Sequence, residues 1–502
     1  MNLKHKLFAL LFISSALFTP SVWALALYVD NETQQVYASP GNNRVKLGTF
    51  EKKEEMDQLR ASIKAEIERE LKLTHHIPVT QAAGQQASIV ASNIATEEEA
   101  NEAATAAKPS KGGVPAGISY GKNGFELRTD NDQFSLAIQN RVQARYAEPF
   151  DADPRTLADL DKDESSFMIR RARTKLNGHA YVPWLKYYLQ YDWSQPVLRD
   201  LNLTVDKYKW AQVRVGRGKV SYNNERVTSS GSQQFVNRSI VNDIFTVDRQ
   251  QGIEVKGNLF PGTWHDLTYY AGVFTGLGVG ERNNDDDHMM YSGRLQWNAL
   301  GGEMKFSQSD TEFHDQPALN ISVAANANQS KCTAFETDSR SCRRLIDVNA
   351  VGGARYRDPS VTSAAGAQNG QYAIHQLMEE VHFKYKGFSL LHELHSKKIK
   401  DKLNQDDETD LFGGFIQAGY FLNHHLDFIP KNIELAGRYA FVDMDTDRDH
   451  DKQTELSAVV NYFLAGHFNK LSLQLSRLKV EDPIKLEDDT ENRLWAQWDF
   501  SF

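Results

Sequence analysis

The chain contains little cysteine and has no long apolar segment beyond its first residues. Two cysteines among 502 residues exclude a fold built on disulfide bonds, and the spacing typical of zinc sites is missing. No later run of about 18 apolar residues occurs, which excludes a bundle of membrane-spanning helices. A membrane β-barrel is still possible, because its strands carry apolar residues only at alternate positions.

The charge balance and the motifs narrow the function. Lys and Arg total 57 against 66 for Asp and Glu, a net charge of −9 that argues against a nucleic-acid partner. The motifs of α/β-hydrolases, zinc proteases and phosphate-binding loops are missing, so we expect a non-enzyme without cofactor or metal. A Ser/His site like that of an outer-membrane lipase or protease needs no local motif, and this alternative stays open.

The N-terminal region predicts export and a short helix. Lys4 and Lys6 precede an apolar stretch at 7–18 and small residues near Ala24, which is typical of a signal peptide over residues 1–24. Residues 25–49 form a small, turn-rich segment. From 50 to 77, apolar residues recur every three or four positions, which predicts an amphipathic helix. It either forms a coiled coil with other copies or stays solvated, and residues 78–117 read as a flexible linker.

From residue 118 to 502 the dominant period is two, which indicates β-strands with one apolar and one polar face. Strands are predicted at 134–146, 167–181, 185–194, 199–208, 211–219, 252–259, 267–275, 290–298, 302–308, 374–386, 388–398, 411–422, 432–443, 454–465, 469–480 and 492–502. Their even number and their lengths suit tilted membrane strands. We therefore predict an all-β, sixteen-stranded antiparallel transmembrane β-barrel.

The connections and the C-terminus support an outer-membrane location. Short connections alternate with long ones at 147–166, 220–251, 276–289, 309–373, 399–410, 444–453 and 481–491, as in outer-membrane barrels. The last strand alternates apolar and mostly polar residues and ends in Phe502, which resembles the signal read by the barrel-insertion machinery. We expect outer-membrane lipid around the barrel and the N-terminal segment in the periplasm of a Gram-negative cell.

Several stretches resemble one known family. Residues 170–178 (RRARTKLNG), 188–193 (YLQYDW) and 215–220 (VGRGKV), with further matches up to Gly252, are similar to the phosphate-selective porins O and P. The resemblance implies a trimeric sixteen-stranded barrel whose third long loop folds inward and narrows the pore. Counting strands also makes 221–251 the third long connection. The chain departs from the family pattern at Gly218, where Phe is usual.

The resemblance implies an anion-selective constriction, and selectivity in a wide barrel requires charge of one sign there. Arginine offers a planar fork of donors to phosphate, lysine a point charge, and serine a neutral donor. The candidate constriction residues are Lys219, Arg226, Ser229, Ser230, Arg238 and Arg249. In the alternative interpretation these arginines pair with acidic neighbours and only fasten the loop.

A second basic set lies on two predicted strands. The members on each strand are separated by an even number of positions and therefore lie on one face. A cation facing the bilayer centre destabilises a barrel by roughly 2–4 kcal/mol, so we expect this face to line the lumen. The members of this set are Arg141, Arg145, Arg171, Arg173 and Lys175. The expected function is a passive channel for inorganic phosphate or similar anions. A channel for another acidic or uncharged solute and a chiefly structural envelope tether are the alternatives.

The two cysteines lie ten residues apart in the longest predicted loop. In an exported chain we expect Cys332 and Cys342 to form a disulfide, which contributes about 2.8 kcal/mol by loop-closure arithmetic.

Overall fold

The computed structural model describes residues 25–30, 36–37, 44–50, 116–121, 124–149, 157–160, 164–279, 283–335, 368–403, 407–424, 426, 428–483 and 485–502. The chain divides into two compact units, residues 1–107 and 108–502. The predicted signal peptide, the predicted helix and most of the predicted linker lie outside the described residues, as does Cys342.

The first unit contains a three-stranded antiparallel sheet. Its strands are β1 (Leu25–Asp30), β2 (Val36–Tyr37) and β3 (Arg44–Phe50), and β1 lies between the other two. These strands fall in the turn-rich segment.

The second unit is a closed antiparallel β-barrel. A hairpin of β4 (Ala116–Gly121) and β5 (Gly124–Thr129) precedes it. The sixteen barrel strands are β6 (Phe134–Glu148), β7 (Ser166–Ala180), β8 (Val182–Asp192), β9 (Val197–Tyr208), β10 (Ala211–Lys219), β11 (Arg249–Leu259), β12 (Leu267–Phe274), β13 (Met290–Leu300), β14 (Ala318–Ser330), β15 (Tyr372–Tyr385), β16 (Phe388–Asp401), β17 (Asp407–Phe421), β18 (Ile433–Asp443), β19 (Lys452–Phe463), β20 (Asn469–Asp482) and β21 (Glu487–Ser501). Short helices are α1 (Leu157–Leu160), α2 (Asn224–Val227) and α3 (Ile240–Phe245), with a 3-10 turn at Leu422–His424.

The strands expose their apolar face and bury their polar face. On β20, Leu471, Leu473 and Leu475 point outward and are 42–59% exposed, whereas the intervening Ser472 and Gln474 are buried. This is the reverse of a soluble protein and is typical of a barrel whose outer wall contacts lipid. Among the described residues, no helix is long and apolar enough to cross a membrane.

The barrel closes between its first and last strands. β21 pairs with β6 from Leu494 opposite Glu148 to Ser501 opposite Arg141. One step further, the backbone groups of Phe502 and Asn140 exchange hydrogen bonds of 2.7 and 3.0 Å. Beyond that point β5 takes over the pairing with the first residues of β6. The hairpin thus covers the part of the β6 edge that β21 does not reach, so that no open edge is left there.

The ninth predicted strand is wrong. Residues 302–308 form an irregular turn, and the ninth strand is β14, inside the predicted loop 309–373. The second half of β14 has alanine on both faces, at positions 324, 325 and 327, so its alternation is weak there as a sequence signal. The turn 301–317 instead folds into the barrel, where Gln308, Ser309 and Asp310 are buried. The loops predicted at 399–410 and 481–491 are also shorter, at 402–406 and 483–486.

The connections define two ends of the barrel. We call the end with the connections 149–165, 220–248, 275–289 and 331–371 the loop end, and the other the turn end. The connection 193–196 lies at the loop end too, so residues 220–248 are the third connection there, as predicted. We call this segment loop 3.

Deletion of Phe502 is expected to reduce the yield of assembled barrel several-fold, because this residue supplies the last two backbone hydrogen bonds of the closing seam. Its ring also contacts the Phe500 ring, with centroids 5.6 Å apart. The measurement is the heat-modifiable barrel fraction on gels. Phe502→Tyr keeps the backbone and the ring and serves as the control. Equal barrel yields from the deletion and the parent would contradict the prediction.

Candidate functional site

Loop 3 crosses the barrel interior and packs against one wall. It leaves β10 after Lys219 and returns to the wall at Arg249. The apolar side chains of α3 that are buried most completely, Val241, Ile244 and Phe245, form one cluster with wall residues of β15 to β18. Apolar burial therefore fixes the returning half of the loop to that side of the barrel.

Acidic residues of the same wall bind the loop by hydrogen bonds. The Glu380 carboxylate accepts from the Asn224 backbone N–H at 2.9 Å, and Glu393 accepts from the Glu225 N–H at 2.7 Å. These two donors lie in the first turn of α2, where an anion is favoured because the N–H groups have no helical partner. Further along, Glu455 accepts from the Ile240 N–H at 3.1 Å. These three carboxylates, on β15, β16 and β19, thus each accept a hydrogen bond from loop 3.

Two arginines of the candidate constriction hold the loop together. The Arg226 Nε donates to Asp248 Oδ1 at 2.7 Å, and both side chains are buried. Arg238 donates to the backbone carbonyls of Glu225 and Thr228, each at 2.9 Å. The pairing with acidic neighbours in the alternative interpretation thus occurs at Arg226, and Arg249 also lies 3.8 Å from Asp248. Neither arginine lines the cavity described below.

The buried position shifts two pKa values within loop 3. Burial and the neighbouring Arg226 lower the pKa of the Arg238 guanidinium to about 9, so it stays charged at neutral pH. Burial raises the pKa of Glu225 to about 6, although Arg438 and hydrogen bonds from Ser239 favour its charged form.

A cavity of 390 Å³ lies between loop 3 and the opposite wall, which is formed by β7 to β11. Among the described residues, its lining carries five cationic side chains and one carboxylate, that of Asp200. The cations are Arg173, Lys175, Arg214, Lys219 and Arg249. Its neutral polar lining includes Tyr188, Gln190, Asn202, Thr204, Ser229 and Ser230.

The cavity brings together members of both predicted sets. From the constriction set it contains Lys219, Ser229, Ser230 and Arg249, and from the basic wall Arg173 and Lys175. Arg141 also faces inward and donates to the hydroxyls of Ser229 at 3.1 Å and Ser230 at 2.5 Å.

The other two wall arginines face the lumen but lie outside this cavity. Arg145 donates to the Val236 carbonyl of loop 3 at 3.1 Å. Arg171 donates to the amide oxygen of Gln143 on β6 at 3.1 Å. Both side chains thus bind polar groups of the loop or the wall.

The arginines and lysines of the cavity differ in their partners. Arg173 lies 2.7 Å from Asp192, Arg249 2.9 Å from Asp200, and Arg214 2.9 Å from Glu254. The lysines donate to neutral oxygens instead. Lys175 Nζ lies 3.1 Å from the Gln139 amide oxygen, and Lys219 Nζ lies 3.0 and 3.1 Å from the carbonyls of Val227 and Thr228. When these lysines are protonated, a hydrogen-bonded carboxylate does not offset their charge, in contrast to the three arginines.

Sequence reasoning missed Arg214 and Gly218, although a signal was present. Both lie at even-numbered positions of β10, whereas the apolar Val213 and Val215 lie at odd-numbered positions and belong on the outer face. Because successive side chains alternate between the faces, Arg214 and Gly218 had to face the lumen. The neutral residues of β8 and β9 could not be assigned to the site, because similar polar residues line the whole barrel.

A second cavity continues toward the turn end. It has a volume of 490 Å³ and shares Tyr188 and Thr204 with the first cavity. His179, Lys186 and Asp206 line it from the strands, and Glu126 lines it from the hairpin. The interior is therefore open along the β6 to β10 side, whereas loop 3 fills the other side.

A closed sixteen-stranded barrel with an apolar exterior, a polar interior and an inward-folded loop belongs to the class of outer-membrane channels. The comparison with protein families agrees, since the family model for phosphate-selective porin O and P matches residues 141–502. The chain belongs to this family.

The comparison with solved structures gives matches of low sequence identity. OmpT, an outer membrane protein of Vibrio cholerae, is 10% identical, covers 74% of this chain and 98% of its own, and has a TM-score of 0.47. An anion-selective porin from Comamonas acidovorans is 12% identical, covers 74% of this chain and 100% of its own, and has a TM-score of 0.44. The outer membrane channel DcaP of Acinetobacter baumannii is 10% identical, covers 75% of this chain and 99% of its own, and has a TM-score of 0.47. No curated protein matches this chain significantly.

Proposed function

We propose that the protein is a passive outer-membrane channel selective for anions, with phosphate or polyphosphate as the solute. The cluster of five cations around one cavity beside loop 3 carries this proposal. Guanidinium groups and lysine ammonium groups both bind phosphate oxygens, and the hydroxyls of Ser229 and Ser230 add neutral donors. The acidic partners of the three arginines weaken the attraction, which suits a site that must also release its ion.

The placement of charge supports an anion path even though the chain is acidic overall. Glu380, Glu393 and Glu455 accept hydrogen bonds from loop 3, so their charges face the loop and not the open side. The open side carries Lys175 and Lys219. Because the local field depends on where charges lie, the net charge of −9 is compatible with anion preference inside the barrel.

The same proposal gives the protein an orientation and partners. The loop end faces the cell exterior and the turn end faces the periplasm, the compartment in which we also expect the N-terminal segment. The barrel-insertion machinery recognises the last strand, and outer-membrane lipid surrounds the apolar wall. Three copies associate as a homotrimer, and the predicted helices at 50–77 form a coiled coil with one another.

Single-channel recording in a planar bilayer tests the proposed function. In a potassium chloride gradient, the reversal potential is expected to lie toward that of chloride. Millimolar phosphate is expected to reduce the chloride current, because it occupies the same cations. Chloride current that phosphate does not reduce would instead support a channel for another solute. A correctly assembled barrel without any current would support a tethering role.

A further inference from the structure

Gly218 lies in the lining of the cationic cavity, near the end of β10. It shares the inward face of the strand with Arg214, whereas Val215 points outward and is 47% exposed. Gly218 itself is buried. A glycine here leaves the wall of the cavity without a side chain next to a guanidinium group.

The backbone does not require glycine at this position. The neighbouring Gly216 does need it, since its φ is +122° and a Cβ would lie 2.4 Å from the Leu201 carbonyl oxygen. Gly218 has no positive φ. A Cβ there would lie 3.3 Å from Arg214 Nη1 and 3.4 Å from Asn202 Nδ2, both of which are ends of side chains. A Cβ therefore fits once these side-chain ends shift by a few tenths of an ångström, and a larger side chain would enter the cavity between Arg214 and Asn202.

We infer that Gly218 is a specificity-determining residue, whose missing side chain keeps the cavity wide enough for anions larger than a single phosphate. This inference rests on the proposed function and adds the size of the solute to it. The cations come from separate strands, Lys175 from β7, Arg214 from β10 and Arg249 from β11. A condensed phosphate with two charged groups can bind two of these cations at once, and it needs more space than orthophosphate. Bulk at position 218 takes space beside Arg214 and so affects the larger anion more.

The test compares Gly218→Ala and Gly218→Phe with the parent in single-channel recordings. Chloride, orthophosphate and pyrophosphate are the permeant anions. Val215→Phe is the matched control, because it adds the same ring to the same strand on the outer face. We expect Gly218→Phe to lower pyrophosphate conductance relative to chloride by about fivefold or more, a discrimination that small changes of pocket size can produce. Gly218→Ala is expected to shift the same ratio in the same direction by less, and Val215→Phe to leave it unchanged.

The outcomes separate this inference from the proposed function. Equal pyrophosphate-to-chloride ratios in the parent and both Gly218 variants would overturn the role of Gly218, even if the parent prefers anions. A parent without anion preference would overturn the proposed function as well. Should Gly218→Phe fail to assemble, as shown by heat modifiability on gels, the ratio in Gly218→Ala decides the question.

Discussion

Replacing Lys175 by Glu is expected to lower the anion-to-cation permeability ratio about tenfold. A permeating ion 8 Å from a unit charge interacts with it by roughly 2 kcal/mol at an effective dielectric constant of about 20. This energy changes the local concentration of the ion by roughly thirtyfold. Salt in the lumen screens part of this. Lys175 suits the experiment because its Nζ donates to the neutral Gln139 amide at 3.1 Å, so the exchange does not break an ion pair.

The reversal potential in a potassium chloride gradient measures this effect. Lys175→Arg preserves the charge and is expected to behave like the parent, and Lys175→Gln is expected to fall between the parent and the Glu variant. If the reversal potential is the same for the parent and Lys175→Glu, Lys175 does not contribute to selectivity.

Arg226 is a poor target for the same question, although the sequence pointed to it. Its guanidinium pairs with the buried Asp248, so Arg226→Ala removes the nearer cationic partner of this carboxylate and leaves Arg249 at 3.8 Å. Removing one partner of a buried ion pair destabilises a fold by about 3–5 kcal/mol, and here the destabilised part is loop 3. A loss of selectivity in that variant would therefore report a displaced loop as readily as a lost anion site.

Replacing Glu380 by Ala is expected to release the first part of loop 3. The Glu380 carboxylate receives two hydrogen bonds of 2.9 Å from Arg294 and one of 2.9 Å from the Asn224 backbone N–H. The change leaves the buried Arg294 without its counter-charge, at a cost of about 3–5 kcal/mol. We expect a larger and noisier single-channel conductance and a lower temperature of barrel unfolding.

The neighbouring Glu379 provides the control for this experiment. It lies on the exposed outer face of β15, so Glu379→Ala removes the same chemical group without touching loop 3. Conductance noise and thermal stability in this variant should match those of the parent. Quiet, unchanged conductance in Glu380→Ala would show that the apolar cluster around α3 is sufficient to hold the loop.

The alternating pattern of the strands was enough to predict the architecture. Because successive side chains point to opposite faces, Leu471, Leu473 and Leu475 had to share the face opposite to Ser472 and Gln474. The same parity predicted that Arg141 and Arg173 face the lumen, where the structure places them. The pattern failed at β14, whose second half has alanine on both faces, since a small side chain gives little contrast between the two faces.

Local sequence therefore determined the fold class, fifteen of the sixteen barrel strands, the position of loop 3 and the face on which the residues of those strands lie. Only the tertiary structure decided which charges pair. Arg226 donates to Asp248 within loop 3, whereas Arg249 lies 3.8 Å from Asp248 and donates to Asp200 on β9. Glu380 meets Asn224 across 156 positions of the chain. Such partners depend on where the loop comes to rest inside the barrel, and that is set by packing between residues far apart in sequence, which no local pattern encodes.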